Sequence, residues 1–352
     1  MTFRQNTVFV IGAGASCEFN MPSGYALAES IRTGANISFG HFDGRSTGDE
    51  DLRGALQRFY TGQQINERLP AIRMIAGGIF MAESIDAYID RHKDVPFVEE
   101  MGKFLIVFYL LRAERHSKLK VGKDDRLLNL PSLGDTWIHH FAATLFRGVD
   151  AQHLDEIGKD VKIICFNYDR CIERYLQQAV VQAYSVSEDV ADKVVRGIEI
   201  LRPYGSLGQL PASSRGSGSD LLAYGQSVAY ANVPSIAKSI RTFHERIVDN
   251  KVLSDIRYAI QRSERLVFLG FGYHQQNLEL MQVQPSSESS TAKQFYYSSK
   301  GIPEPAFESI VERTVTMAGY ARRKLVADNR VHFEPDGTAN HVMSHYRSSL
   351  QA

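Results

Sequence analysis

Residues Thr7–Ile31 read TVFVIGAGASCEFNMPSGYALAESI and combine an apolar run, a glycine-rich turn and the start of a helical pattern. The run Val8–Ile11 is short, β-branched and aromatic, and it ends at a glycine, which is typical of a buried parallel strand. Glycine has no Cβ, so the backbone of the turn Gly12–Ser16 can approach a ligand closely. The N-terminus of a helix that follows such a turn favours a phosphate group. A tight strand-to-helix turn that binds no ligand is the alternative interpretation.

This turn fits the dinucleotide fingerprint of dehydrogenases only in part. Gly12 and Gly14 match its first two glycines, whereas Cys17 stands in the third place. No acidic residue follows an obvious second strand about 20 residues further on. The chain continues instead into MPSG at Met21–Gly24, which is not the sequence of a plain crossover helix.

The composition is that of an ordinary globular protein. Of the 352 residues, 43% are hydrophobic and 23% are charged, and 40 basic residues balance 40 acidic ones. This balance gives no indication of a nucleic-acid partner or of an anionic membrane. The three scattered cysteines, Cys17, Cys165 and Cys171, cannot form a four-thiolate zinc site, and their number predicts reduced thiols in the cytoplasm. No apolar run is long enough to span a bilayer.

Hydrophobic periodicity predicts the organisation of the chain. From Asp51 to Gly148 the pattern is helical throughout, with no strand. We expect one domain over 1–352, with this helical block inserted at 40–150. A second, mixed insertion is predicted at 185–262, and its last part, Ile236–Arg262, is predicted to be helical.

The other apolar runs predict the remaining strands of an α/β, Rossmann-like fold, with a mostly parallel sheet and helices on both faces. These runs are Val161–Phe166, Glu199–Arg202, Arg265–Leu269, Gln294–Tyr297 and Arg330–Phe333.

Candidate functional groups follow the ends of several of these strands. In an open parallel sheet, ligands bind beyond the carboxyl ends of the strands. The amide of Asn167 can donate and accept hydrogen bonds, so it can fix a water molecule or a ribose hydroxyl without adding a charge. Asp169 either caps the next helix or binds a hydroxyl, and a plain turn at Asn167 is the alternative interpretation. His274 either reaches the ligand or is an ordinary loop histidine.

Five motifs form an ordered pattern along the chain. They are GAGAS at 12–16 followed by Pro22, FNYD at 166–169, PYGSLG at 203–208, LGFG at 269–272, and a strand that ends in small polar residues at Ser298–Ser299. This order resembles the sirtuin-like family, and most closely its bacterial branch in anti-phage defence. That branch has a helical insertion after the first strand, often with a segment like Ser84–Asp86, and lacks a zinc ribbon. The resemblance extends from about Thr7 to Ser299.

The resemblance implies that NAD binds as the substrate, without a metal, and is hydrolysed to nicotinamide and ADP-ribose. Asn167 would position the attacking water or the nicotinamide ribose, and Asp169 would support that loop or bind ribose. The pyrophosphate would lie against Gly12, Ala13, Gly14, Ala15 and Ser16. The other residues expected at the NAD site are Pro22, Gly205, Gly270, Gly272, Tyr273, His274 and Ser298, the last five on the adenosine side or near it.

One position departs from the family pattern. The family has a histidine before the glycine that is Gly205 here, and this chain has Tyr204. That histidine is the usual general base, whereas tyrosine, with an ordinary pKa of about 10, is a poor base at neutral pH. Three interpretations stay open: slower catalysis that depends on Asn167, another histidine as the base, or a site that binds without turnover.

The leading functional prediction is therefore NAD hydrolysis in prokaryotic anti-phage defence. A constitutive NAD hydrolase would kill its host, so we expect activity to depend on assembly or on a trigger. The resemblance also implies a homo-oligomer and a translocase-type ATPase as partner. The alternative is a catalytically weak NAD- or ADP-ribose-binding subunit of a defence complex, which Tyr204 favours. The lack of zinc-binding cysteines disfavours a protein deacylase.

Overall fold

The structure of the chain is a computed structural model that describes residues 2–39, 47–122, 125–211, 222–242, 245, 250–284, 293–320 and 329–351. Its centre is a six-stranded sheet in which all neighbouring strands are parallel. Helices flank this sheet, so the predicted α/β, Rossmann-like fold is confirmed. In the described residues, no helix has the length and apolarity that crossing a bilayer requires.

The order of the strands in the sheet places β1 at a special position. The strands are β1 (Thr7–Ile11), β2 (Val161–Cys165), β3 (Ile200–Leu201), β4 (Arg265–Leu269), β5 (Gln294–Ser298) and β6 (Val331–Glu334). They lie in the order β3-β2-β1-β4-β5-β6. The chain builds one side of the sheet through β2 and β3 and then returns past β1 to build the other side. The gap beside β1 is therefore the topological switch point, where ligands bind in sheets of this type.

The elements between β1 and β2 are helical, as the sequence predicts. The α-helices are α1 (Ala13–Ser16), α2 (Gly24–Gly34), α3 (Glu50–Phe59), α4 (Gly62–Gly78), α5 (Ile85–Arg91), α6 (Val98–Glu114) and α7 (Trp137–Leu145). In α6, 13 of the 17 residues are buried, because this helix is apolar on all sides and the others pack around it. The proposed limits of the insertion, 40–150, stay a prediction.

The remaining helices alternate with the later strands. They are α8 (Cys171–Tyr184), α9 (Glu188–Gly197), α10 (Val233–Ala237), α11 (Asn250–Arg262), α12 (Gln275–Met281), α13 (Glu304–Met317), α14 (Ala339–His345) and α15 (Arg347–Leu350). The limits of the second insertion, 185–262, also stay a prediction.

The helix predicted over 236–262 is wrong in its first part. After α10 the backbone turns, and Ile240 forms an isolated bridge with Gly205. The N–H of Arg241 donates to the carbonyl of Tyr204 at 2.9 Å. These bonds replace the helical ones, because this segment supports the loop that carries Tyr204. Residues 243–244 and 246–249 lie outside the described part of the chain.

Candidate functional site

A cavity of about 300 Å³ opens at the carboxyl ends of β1, β2 and β4, and we call it the exit cavity. Its walls are the turns that follow these strands, together with the starts of α2 and α5 and part of α12. Since β1 lies between β2 and β4, the exit cavity occupies the topological switch point of the sheet. The fold therefore places a cavity where the sequence predicts the functional groups.

The exit cavity brings together most, but not all, of the predicted site residues. Those in its wall are Gly12, Ala13, Gly14, Pro22, Asn167, Asp169, Tyr204, Gly270, Gly272 and His274. Those that do not line it are Ala15, Ser16, Gly205, Tyr273 and Ser298.

The glycine turn after β1 packs closely against the turn after β4. The N–H of Gly12 donates to Leu269 O at 3.0 Å, and the N–H of Gly14 donates to Gly270 O at 2.9 Å. A Cβ atom on Gly12 would lie 2.5 Å from the same Gly270 oxygen. The N–H of Ala15 donates to Gly12 O at 3.0 Å. These three amides are therefore not free for a pyrophosphate, and the glycines allow two backbones to touch.

The turn after β4 depends on Gly270 and on residues behind the wall. Gly270 has a φ of +57°, and a Cβ atom there would lie 1.9 Å from Ala15 N. Its N–H donates to Ser298 Oγ at 2.7 Å. The buried Tyr273 hydroxyl donates to Ser298 O at 3.3 Å. Ser298 and Tyr273 thus support this turn instead of facing the exit cavity.

The N-terminus of α2, for which the sequence predicts no role, also faces the exit cavity. Pro22, Ser23 and Gly24 line the wall where α2 begins. Ser23 caps this 11-residue helix, and its Oγ accepts from the N–H of Ala26 at 3.2 Å. The N–H groups of Gly24 and Tyr25 have no intrahelical acceptor because they belong to the first turn. A serine directly before a helical pattern was the available signal.

Asn167 is held by hydrogen bonds in one orientation. Its Nδ2 donates to Gly12 O and to Ser16 Oγ, both at 3.0 Å. The Gly12 carbonyl can only accept, so Nδ2 must face it and Oδ1 must lie on the other side. Within the described residues, Oδ1 accepts no hydrogen bond. The side chain therefore offers a fixed acceptor at the cavity wall, with both amide protons already in use.

The backbone of Asn167 is fixed as well. Arg202 donates from Nη1 to Asn167 O at 2.6 Å. The same guanidinium binds both carboxylate oxygens of Glu173, at 2.8 and 2.9 Å. Arg202 lies in the short β3 exit, and Glu173 is in the first turn of α8. This bidentate pair keeps the β2 exit rigid, because a planar fork matches a carboxylate in both position and direction.

Asp169 binds the start of α8, and it also lies in the wall. Its Oδ1 accepts from the N–H of Cys171, the first residue of α8, at 3.0 Å. The side chain is 6% exposed. Arg170 is the N-cap of α8 and makes no side-chain cap bond, so Asp169 binds the start of the helix from the preceding position. Contact with a ligand hydroxyl stays a prediction.

Asp86 is a further carboxylate in the wall that had no predicted role. Its Oδ1 accepts from the Tyr168 hydroxyl at 2.5 Å. Ser84 caps α5 by accepting from the N–H of Ala87 at 3.1 Å, and this sets the start of the turn that carries Asp86. Burial raises the pKa of the Asp86 carboxyl above its ordinary value, while the bond from Tyr168 opposes that shift. Burial likewise raises the pKa of Tyr168, so its hydroxyl keeps its proton and donates.

Tyr204 donates its hydroxyl proton to Asn277 Oδ1 at 2.6 Å. Its ring packs near Phe166, with centroids 5.8 Å apart, and near Tyr168, at 6.4 Å. Gly205 has a φ of +74°, and a Cβ atom there would lie 2.0 Å from Ser239 O. The lack of a Cβ atom at Gly205 therefore allows its backbone to pack against Ser239, which places Tyr204 at the wall.

The charges of the exit cavity are mainly negative. Glu83, Asp86 and Asp169 contribute carboxylates, and no lysine or arginine is among its described wall residues. His274 Nδ1 lies 3.5 Å from Glu83 Oε2 at the rim. Such a site favours a group on which positive charge develops.

Among the described residues, no group of three or more His, Cys, Asp or Glu side chains could hold a metal ion. A metal-free site stays a prediction. No protein-family model matches the sequence, and no curated protein matches it significantly.

Proposed function

We propose that this chain hydrolyses NAD to nicotinamide and ADP-ribose in the exit cavity. The observation that supports this most is Asn167, whose side chain is fixed by two hydrogen bonds and presents Oδ1 as a free acceptor. An acceptor of this kind can orient a water molecule towards a reacting carbon. The order of motifs that resembles the sirtuin-like family supplies NAD as the substrate.

In the proposed reaction, the bond between C1′ of the ribose and the nicotinamide nitrogen breaks. Its electron pair goes to the ring nitrogen, which neutralises the positive charge of nicotinamide, and the ribose becomes oxocarbenium-like. The carboxylates of Asp86 and Asp169 stabilise this positive charge in a buried site. Water held by Asn167 Oδ1 then adds to C1′ and loses a proton.

The size of the exit cavity suits one half of the substrate. A volume of about 300 Å³ is at the lower end for ligand pockets, so we infer that it takes the nicotinamide and its ribose. The diphosphate would then lie near the N-terminus of α2, where the N–H groups of Gly24 and Tyr25 supply donors. This differs from the expectation that the glycine turn alone holds the pyrophosphate.

Tyr204 does not act as the base in this proposal, because its hydroxyl donates to Asn277. General-base assistance is worth ~10²- to 10⁴-fold, so its loss slows the reaction without removing the effect of positioning. Tyr204 instead shapes the pocket for the ring and ribose.

The biological setting is proposed from the resemblance alone. The chain would act in the cytoplasm in anti-phage defence, as a homo-oligomer or beside a translocase-type ATPase. Assembly or a phage-derived trigger would release the activity.

The test is to incubate the purified full chain with NAD and quantify nicotinamide and ADP-ribose by chromatography. The reaction is run with the chain alone and with an extract of phage-infected cells, and the Asn167→Ala variant in the same extract is the control. We expect equal amounts of both products, above the control. No nicotinamide above the control in either condition would contradict hydrolysis.

A second candidate function is binding of NAD or ADP-ribose without turnover. The hydrogen bond from Tyr204 to Asn277 favours it, because it leaves no base at the position of the family histidine. Tight ADP-ribose binding in calorimetry, together with no nicotinamide release, would support this candidate.

A further inference from the structure

Asp86 is a carboxylate in the wall of the exit cavity whose side-chain partner is a neutral hydroxyl. Its carboxylate accepts from the Tyr168 hydroxyl at 2.5 Å and from its own backbone N–H. No arginine or lysine side chain forms an ion pair with it among the described residues. Asp86 is partly buried, and a carboxylate that loses solvent without a paired cation is costly and is typical of functional sites.

The other polar groups of the wall are already engaged. Asp169 Oδ1 accepts from the backbone at the start of α8. Glu83 faces His274 at the rim, and its side chain is 78% exposed. Tyr204 donates its proton to Asn277. Asp86 thus differs from the other wall carboxylates in having a neutral hydroxyl as its side-chain partner, while His274 and Lys103 act on it electrostatically.

Tyr168 connects Asp86 to the group that positions water. It directly follows Asn167 in the β2 exit, so one rigid loop carries the free amide oxygen and the donor that orients Asp86. Burial raises the pKa of Asp86, which brings its basicity closer to that needed at neutral pH.

We propose that Asp86 is the general base of the NAD hydrolysis proposed above. Asn167 Oδ1 accepts one hydrogen bond from the water, and Asp86 takes the other proton as the water oxygen bonds to C1′. The C1′–N bond breaks with its electron pair on nicotinamide, and the proton later leaves Asp86 for solvent. The sum is NAD and water giving nicotinamide, ADP-ribose and one proton. Asp86 thus takes over the task of the histidine that Tyr204 replaces.

The test compares steady-state nicotinamide release by the parent with that of Asp86→Asn and Asp86→Ala. Asparagine keeps the shape and can still accept from Tyr168, but it cannot take a proton. We expect kcat to fall at least ~10²-fold in both variants, since a base contributes that much. Affinity for ADP-ribose should change less than about threefold. Added formate, a small carboxylate, should restore part of the rate of Asp86→Ala and none of the rate of Asp86→Asn.

Asp90→Asn is the matched control, because it makes the same change on the same helix, α5, at a residue that does not line the exit cavity. We expect it to keep kcat within about threefold. Thermal unfolding of each variant shows whether the fold is intact, and if Asp86→Ala fails to fold, Asp86→Asn alone decides the matter.

Tyr168→Phe gives a readout that a structural role would not produce. The charged and titratable groups near Asp86 and its partner are Tyr168, Tyr204, His274, Lys103, Glu83 and Glu245. The Tyr168 bond lowers the pKa of Asp86, so its loss raises that pKa. Because the base must be deprotonated, the acidic limb of the kcat profile should move to higher pH.

An active parent with an equally active, folded Asp86→Asn variant would overturn this role while leaving NAD hydrolysis intact. A parent that releases no nicotinamide under either condition would overturn the hydrolase proposal and the role of Asp86 together.

Discussion

The turns after β1 and β2 lie side by side at the exit cavity, yet they are built in opposite ways. The β1 turn consists of small residues whose N–H groups bond to backbone carbonyls, as Gly14 does to Gly270. The β2 turn carries Asn167, Tyr168 and Asp169, whose side chains reach the wall. The β1 turn packs against the turn after β4 through its backbone, whereas the β2 turn places polar side chains at the wall of the exit cavity.

This difference shows what a glycine-rich turn can and cannot indicate. The absence of Cβ atoms indicates a close approach of something to the backbone, but the approaching group here is the turn after β4. The glycine motif therefore identifies the fold, while the polar residues after β2 indicate the chemistry. Substitutions in the two turns should have different consequences.

The largest effect is expected for Gly270→Val. Gly270 has a positive φ, and its Cβ would lie 1.9 Å from Ala15 N. Strain and overpacking together should lower the free energy of unfolding by at least about 3 kcal/mol. Denaturant unfolding measures this, with Gly24→Ala, which has nothing within 4 Å of its Cβ, as the control expected within about 0.5 kcal/mol. A Gly270→Val variant as stable as the parent would contradict the close packing of the turn after β1 against the turn after β4. Gly14→Val also tests the fold, because its Cβ would lie 2.9 Å from Gly270.

The next effect concerns the β2 turn. Asn167→Ala should reduce nicotinamide release at least ~10²-fold, because the water loses its positioning group. NAD affinity should fall much less. Ser16→Ala removes one of the two acceptors of Asn167 Nδ2. It should reduce nicotinamide release by about tenfold or less, since Gly12 O still fixes the amide. Full activity of a folded Asn167→Ala variant would contradict its role.

A smaller effect is expected where α2 begins. Gly24 and Gly62 are both first residues of helices, and a Cβ on either meets nothing within 4 Å. Gly24 lines the exit cavity and Gly62 does not. Gly24→Leu should therefore weaken ADP-ribose binding about tenfold by filling space near the diphosphate, while Gly62→Leu should not change it. Calorimetry on both variants measures the difference, and equal affinities would place the ligand elsewhere.

The smallest effect is expected for Tyr204→His. A histidine titrates near neutral pH and can share the task of accepting the proton. We expect nicotinamide release to rise several-fold, and by less than about tenfold because Asp86 is the proposed base. Tyr204→Phe should change the rate of nicotinamide release little, since the proposal assigns a role to the ring of Tyr204 and none to its hydroxyl. A large loss in Tyr204→Phe would show that its hydroxyl takes part in the reaction.

The sequence predicts the sheet well because its signals are local. Buried parallel strands such as Val161–Cys165 and Arg265–Leu269 are short, mainly apolar runs, and a glycine or a polar residue follows within two residues of their ends. The helix predicted over 236–262 is absent at 238–242, because Ile240 and Arg241 bond to the Tyr204–Gly205 loop. These residues are distant from that loop in sequence. Hydrophobic periodicity reports local structure and therefore cannot predict that contact.

The sequence predicts those site residues that directly follow a strand, and it does not predict those on other elements. Asn167, Asp169 and Tyr204 follow strands, and all three line the exit cavity. Asp86 lies on a helix of the block between β1 and β2, and only the folded chain brings it to the Tyr168 hydroxyl. Ser298 ends a strand but points its Oγ to Gly270 N, because the neighbouring turn takes that bond.

The central claim is that NAD binds in the exit cavity with its reacting ribose at the β2 turn. A crystal structure of Asn167→Ala with NAD tests it most directly, because this variant should bind the substrate without cleaving it. We predict intact NAD with C1′ of the nicotinamide ribose facing residue 167 and Asp86, and with its diphosphate at Gly24. Well-ordered NAD bound outside the exit cavity, or inside it with the adenine end at the β2 turn, would contradict the claim.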